Sequence, residues 1–143
     1  MKKVKFTIAK LDPTLWDKIK SGEKKFEIRT EEFGGTHVVF VEPDHPRNVL
    51  GIVRVKEGIH VGLHVHYEAV KHMLCELAKI DSERFDRLFK GVDTVFVHGV
   101  TPVPISKEYL KVVAGALRIF DPYYEEAHMR TRFLMKTVKD KEK

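Results

Sequence analysis

Between Gly22 and Arg29 the chain reads Gly-Glu-Lys-Lys-Phe-Glu-Ile-Arg, bringing Lys24, Glu27 and Arg29 close to a turn. Arg29 offers a planar fork of donors suited to phosphate or carboxylate. Lys24 offers a compact cation that becomes a base or nucleophile only where desolvation lowers its pKa. Glu27 can orient a base through hydrogen bonds or act as general base on water. The same residues would also make an ordinary surface salt-bridge cluster of little energetic weight. Strict strand alternation puts Lys25, Glu27 and Arg29 on one face and Lys24 on the other. Lys24 joins them only if the turn at Gly22 or a bulge redirects it.

Other candidates have plainer readings beside them. His60, His64, His66 and His72 suggest zinc, but there is no second cysteine and no HExxH pattern. Solvated or hydrogen-bonded histidines are the expectation, with no metal and no cofactor. Trp16 is a candidate for stacking on a base, although packing against Leu11 explains it more simply. Tyr123 and Tyr124, with Arg118, Arg130 and Arg132, make a possible aromatic and basic RNA surface; a helix packed on a barrel explains them equally. Cys75 falls in an apolar helical pattern and reads as an inert thiol. No P-loop, dinucleotide fingerprint or nucleophile elbow is present.

The elements that must position these groups follow from periodicity. Val4, Phe6 and Ile8 alternate with Lys5 and Thr7, as in a half-buried strand. Asp12, Pro13 and Gly22 are the cap, first-turn and terminal residues of a helix with Leu15 and Ile19 inward. Strands are expected at 24–30, 38–41 and 50–56, with a loop through Pro43–Asn48. Val65, Ala69, Met73, Leu77 and Ile80 predict an amphipathic helix over 63–80. A shorter helix follows, capped by Asp81 or Ser82, with Phe85, Leu88 and Phe89 on one face. The 94–100 segment is apolar on both faces and reads as a central strand. A helix runs from about Tyr109 to Leu117, and Asp121-Pro122 opens a last helix to about Met135, before a charged tail from Lys136 to Lys143. Residues 1–143 read as one α+β domain, with 106–143 a C-terminal helical extension of it.

Composition narrows the function classes. The chain has 143 residues, 43% hydrophobic and 33% charged, an ordinary balance for a globular protein. Lysine and arginine exceed the acids by 26 to 21, giving a net charge of +5. That excess suits an anionic partner such as RNA without requiring one. The single cysteine precludes an internal disulfide and points to a reducing, cytoplasmic location. No apolar run approaches a membrane span, and no signal peptide follows Lys2 and Lys3.

Gly22, Lys24, Glu27 and Arg29 together form a Gly-x-Lys-x-x-Glu-x-Arg pattern that resembles the signature of the ASCH (activating-signal-cointegrator homology) family, within the PUA-like superfamily. The likeness extends over about residues 4–105: a short helix before the pattern, a Gly-Ile-Val-Arg-Val strand after it, and a late strand ending in Pro-Val-Pro. The resemblance implies a PUA-like β-barrel of about five or six mixed strands with flanking helices. It also implies a cleft bordered by the first helix and the motif strand, and RNA or a nucleotide as ligand. Some members are amidohydrolases of acylated cytidine, and others are ribonucleases. In the amidohydrolases the motif lysine is catalytic, a threonine stands where this chain has Glu27, and an acid comes from a later segment; Glu68 and Glu76 lie in that region here. The expectation is an RNA-binding module holding single-stranded RNA or a modified base beside Gly22, Lys24, Glu27, Arg29 and Trp16. The alternative is a small hydrolase with Lys24 and Glu27 catalytic.

Overall fold

In the computed structural model, residues 3–117 and 131–139 are described, with side chains described for 6–112. Strand β1 (Lys3–Lys10) leads into helix α1 (Pro13–Ser21). Asp12 caps α1 by accepting the Thr14 amide, Pro13 opens it, and Gly22 closes it at φ 88°. That angle belongs to the left-handed region, where glycine carries no Cβ penalty. Strands β2 (Phe26–Arg29), β3 (His37–Val41), β4 (Val49–Val55) and β5 (Ile59–Gly62) follow. Helices α2 (Tyr67–Ala78) and α3 (Ser82–Phe89) then precede β6 (Thr94–Pro102), α4 (Lys107–Leu117) and β7 (Thr131–Lys139).

The strands form one curled mixed sheet, a half-barrel ordered β2-β6-β4-β3-β1-β7, with β5 also paired to β6. β1 runs parallel to β3, and the other pairs are antiparallel. β6 is the strand on which the sheet turns: it pairs with β2, β4 and β5. The concave side packs Ala9, Val38, Phe40 and Val53 against Leu11, Trp16 and Ile19 around α1. A second cluster lies between Ile28, Val95 and Val97 of the sheet and Leu74, Ala78, Phe85 and Phe89 of α2 and α3. A third joins Ile8, Val39 and Ile52 to Leu110 of α4.

Several expectations need correction. Residues 131–135, expected as helix, lie in β7, which pairs antiparallel with β1. Lys136 and Lys139, expected in a solvated tail, belong to the same strand. Residues 59–62, for which periodicity predicts no element, form β5. Thr7 is buried along with Ile8, because β1 is covered on both faces. The stripe expected to bury α2 points outward: Val65, Met73 and Leu77 are exposed, and the helix buries Lys71, Leu74 and Ala78 instead. Polar residues support that choice. Tyr67 donates to Asp86 of α3 at 2.7 Å, and the Lys71 ammonium lies 3.2 Å from the same carboxylate. Asp86 is held below the usual carboxylate range, first by the Tyr67 hydroxyl and then by Lys71. Arg118, Tyr123, Tyr124 and Arg130 lie outside the described residues.

Candidate functional site

The turn at Gly22 redirects the chain so that Lys24 and Glu27 meet. The Lys24 amide donates to the Lys18 carbonyl at 2.9 Å, folding the loop back on the end of α1. The Lys24 ammonium then lies 3.2 Å from one Glu27 oxygen, and the other Glu27 oxygen lies 2.8 Å from the Arg29 guanidinium. One carboxylate thus bridges two cations.

Lys24 sits on the inner side of this bridge. It is 1% exposed, and its ammonium donates to the Ala78 carbonyl at the end of α2. The last carbonyls of a helix lack intrahelical partners and carry the negative end of its dipole. Lys18 reaches the neighbouring Lys79 carbonyl at 3.3 Å. Two lysines from the α1 region therefore close the end of α2. Burial holds the Lys24 pKa below the ordinary lysine value, against the opposing attraction of Glu27.

Arg29 sits on the outer side. Its guanidinium donates to the Lys10 carbonyl at 2.8 Å and lies over the rings of Phe33 and Phe40 at 5.5 and 5.7 Å. No ladder joins β2 to β1. Arg29 therefore spans the seam where the sheet fails to close. Its Nε is buried without a hydrogen-bond partner among the described residues.

A hollow of about 430 Å³ opens at this seam. Lys10, Leu11, Asp12 and Leu15 line one side, Glu27 to Thr30 the floor, and Arg84, Arg87, Leu88 and Phe89 of α3 the other side. Arg84 is held 3.0 Å from Asp12, whose carboxyl is kept below its ordinary pKa first by the Thr14 hydroxyl and also by Arg84. Arg87 is exposed and has no ion pair among the described residues. The lining combines the apolar Leu11, Leu15, Ile28, Leu88 and Phe89 with three arginines, suited to a flat group carrying an anion.

Of the expected site residues, Glu27 and Arg29 line this hollow. Gly22 supplies the turn, and Lys24 stands behind Glu27. Trp16 belongs to the core: it is 8% exposed and packs on Phe40. A Cβ on Gly51 would come within 2.1 Å of its ring. Trp16 borders a separate hollow beside α4 and does not reach the arginines. Glu68 is exposed on α2 and pairs with the buried Lys71, and Glu76 is exposed on the same helix; neither lines the hollow. Among the described residues, no three histidine, cysteine or acidic groups come together as metal ligands would.

Sequence reasoning missed Arg84, Arg87 and His98. The two arginines stand three residues apart in α3, beside Phe85 and Phe89, a spacing that was open to reading. His98 is fixed between backbones: Nδ1–H donates to the Lys56 carbonyl at 2.9 Å, and Nε2 accepts from the Phe33 amide at 3.3 Å. It anchors the 30–36 loop whose Phe33 ring supports Arg29.

No family model matches the sequence, and no curated protein matches it. Solved structures do match. The crystal structure of ASCH from Zymomonas mobilis aligns at 16% identity with a TM-score of 0.61, covering 92% of this chain and 88% of that one. A serine-to-alanine mutant of that protein aligns at 16% and 0.62, covering 92% and 89%. A tyrosine-to-phenylalanine mutant of it aligns at 16% and 0.61, covering 92% and 91%. At that identity the likeness is one of fold, and it agrees with the half-barrel and its flanking helices: this chain has the α+β fold of the Zymomonas mobilis ASCH structures.

Proposed function

We propose that the chain is an RNA-binding module that takes a nucleotide of single-stranded RNA into the hollow at the β1–β2 seam. The observation that carries this reading is the hollow itself. It joins the apolar lining residues Leu11, Leu15, Ile28 and Phe89 to the arginines Arg29, Arg84 and Arg87. A base would lie on the apolar residues, and the phosphate would meet the arginines. The net charge of +5 favours approach of an anionic strand. Glu27 holds Arg29 in place and would accept a hydrogen bond from a base.

The hydrolytic reading draws no comparable support. Lys24, its proposed base, is sealed between Glu27 and the Ala78 carbonyl. Incubation with N4-acetylcytidine or with labelled RNA is therefore expected to give no turnover, and turnover abolished in Lys24→Ala would restore that reading.

Titrating a fluorescent single-stranded oligonucleotide at several salt concentrations tests the proposal. Affinity should fall as salt rises, with a log–log slope near −0.7 for each phosphate engaged. Arg87→Ala should weaken binding by about tenfold and flatten the slope by roughly 0.7. Arg54→Ala, which removes the same charge from β4 outside the hollow, should do neither. Equal effects of the two variants, or affinity indifferent to salt, would remove the hollow from consideration.

A further inference from the structure

We infer that the row Arg29–Phe96–His60 carries a second nucleotide position, a stacking platform for the base next to the one in the hollow. This rests on the RNA-binding reading above and adds where the strand goes when it leaves the seam.

The register makes the row. Arg29 pairs with Phe96 across β2 and β6, and Phe96 pairs with His60 across β6 and β5. Residues directly opposite in antiparallel strands project to the same face. All three side chains therefore start from one face of the sheet, spanning about 10 Å at two interstrand spacings. The Phe96 and His60 rings are stacked almost parallel, with centroids 4.7 Å apart and planes 5° apart. His60 is exposed and Phe96 half-buried. The opposite face of the same strands carries Val61, Val95 and Val97, which pack with α2 and α3. No helix packs over the aromatic pair among the described residues.

Two glycines flank the His60 ring, and at Gly58 a Cβ would come within 2.8 Å of the buried His98 ring. Gly58 and Gly62 lie two residues to either side of His60, so they share its face and place no side chain beside its ring. At the Gly58 end the Glu32 carboxylate accepts the Gly58 amide at 3.3 Å. At the Gly62 end the His64 ring comes within 3.4 Å of where a Cβ would stand. The result is a stacked pair in which Phe96 covers one face of His60, with a carboxylate at one end and an imidazole at the other, so that a base would stack on the outer face of His60. The carboxylate makes the platform a poor seat for phosphate. It suits the face of an unpaired base, whose stacking on an aromatic ring tolerates any sequence. The phosphate joining the two bases would stay on the Arg29 side.

The test compares oligonucleotide lengths. Binding of a mononucleotide and of a single-stranded tetranucleotide is measured for the wild type, His60→Ala, His60→Phe and Arg87→Ala. His60→Ala should weaken the tetranucleotide by roughly 5-fold to 100-fold and leave the mononucleotide unchanged. His60→Phe should restore tetranucleotide affinity, because it keeps the stacking surface. Folding is not at issue for an exposed side chain, and circular dichroism checks it. If His60→Ala binds both ligands like the wild type while Arg87→Ala weakens both, the platform is overturned and the hollow stands. If His60→Ala weakens both ligands equally, the residue serves the first position and the second is overturned. Absence of any RNA binding by the wild type overturns both readings.

Discussion

Lys24 is almost fully buried and yet faces a carboxylate and a helix-terminal carbonyl, so its role is set by where it can reach. Its ammonium joins three segments: the loop after α1, the motif strand β2 and the end of α2. Glu27 compensates both Lys24 and Arg29. Removing one partner of a buried ion pair leaves an uncompensated charge and costs about 3–5 kcal/mol. Glu27→Ala is therefore expected to lose stability in that range in urea denaturation. Lys24→Met should cost less, since Glu27 keeps Arg29 and the straight side chain fills the same space. The reverse order would contradict the bridging role. The pH dependence has a definite sign. Burial places the folded-state pKa of Lys24 below its ordinary value of 10.5. The charged side chain is then a burden below the folded value, relieved as pH rises toward 10.5. The stability gap between wild type and Lys24→Met should widen from neutral to alkaline pH. A gap that stays flat would mean that Lys24 is hydrated in solution.

Helix α1 contributes Leu15 to one wall of the hollow, and its N-cap residue Asp12 belongs to the same wall. Asp12 accepts from Thr14 and pairs with Arg84, tying α1 to α3. Asp12→Ala should cost about 1 kcal/mol at neutral pH through the lost cap. Its folded pKa lies below 3.8, so the contribution is complete above that value and disappears as pH falls through the folded one. Thermal melts of wild type and Asp12→Ala should accordingly converge in acid; a constant difference would mean that the charge plays no part. This helix was readable because cap, proline and terminal glycine are all local signals. α2 was not: its apolar residues fall on two stripes, and the stripe that is buried contains Tyr67 and Lys71. Only the presence of Asp86 on α3 makes those polar residues suit an interior face. β5 escaped because three residues between glycines give too few alternations to read. The 131–135 segment was misread because a proline after Asp121 is a helix signal, whereas pairing with β1 is a contact across the whole chain. The same limit applies to the site. Glu27 and Arg29 could be seen from their spacing; the capping of α2 by Lys24 and the arrival of Arg84 and Arg87 depend on tertiary packing.

At the scale of the whole molecule, the sheet is left open at one end and closed over at the other. β2 stands at the open end, where Arg29 spans the gap to β1 and leaves room for a ligand. β7 stands at the other end and covers the outer edge of β1 from Lys3 to Ala9. An uncovered edge presents a row of unpaired amides and carbonyls that readily pairs with another chain. β1 is also the strand that runs into the hollow at Lys10 and Leu11, so its order bears on both ends of the molecule. A chain ending at Arg130 is therefore expected to melt at lower temperature and to associate, seen as an earlier and broader peak in size-exclusion chromatography. Under the RNA-binding proposal, its affinity for single-stranded RNA should fall as well, although no residue of the hollow is removed, because the Lys10 carbonyl that holds Arg29 lies at the end of the exposed strand. A shortened chain that stays monomeric, melts like the full one and binds RNA equally would show that β1 is held by β3 alone. The coupling between the two ends of the sheet would then be absent.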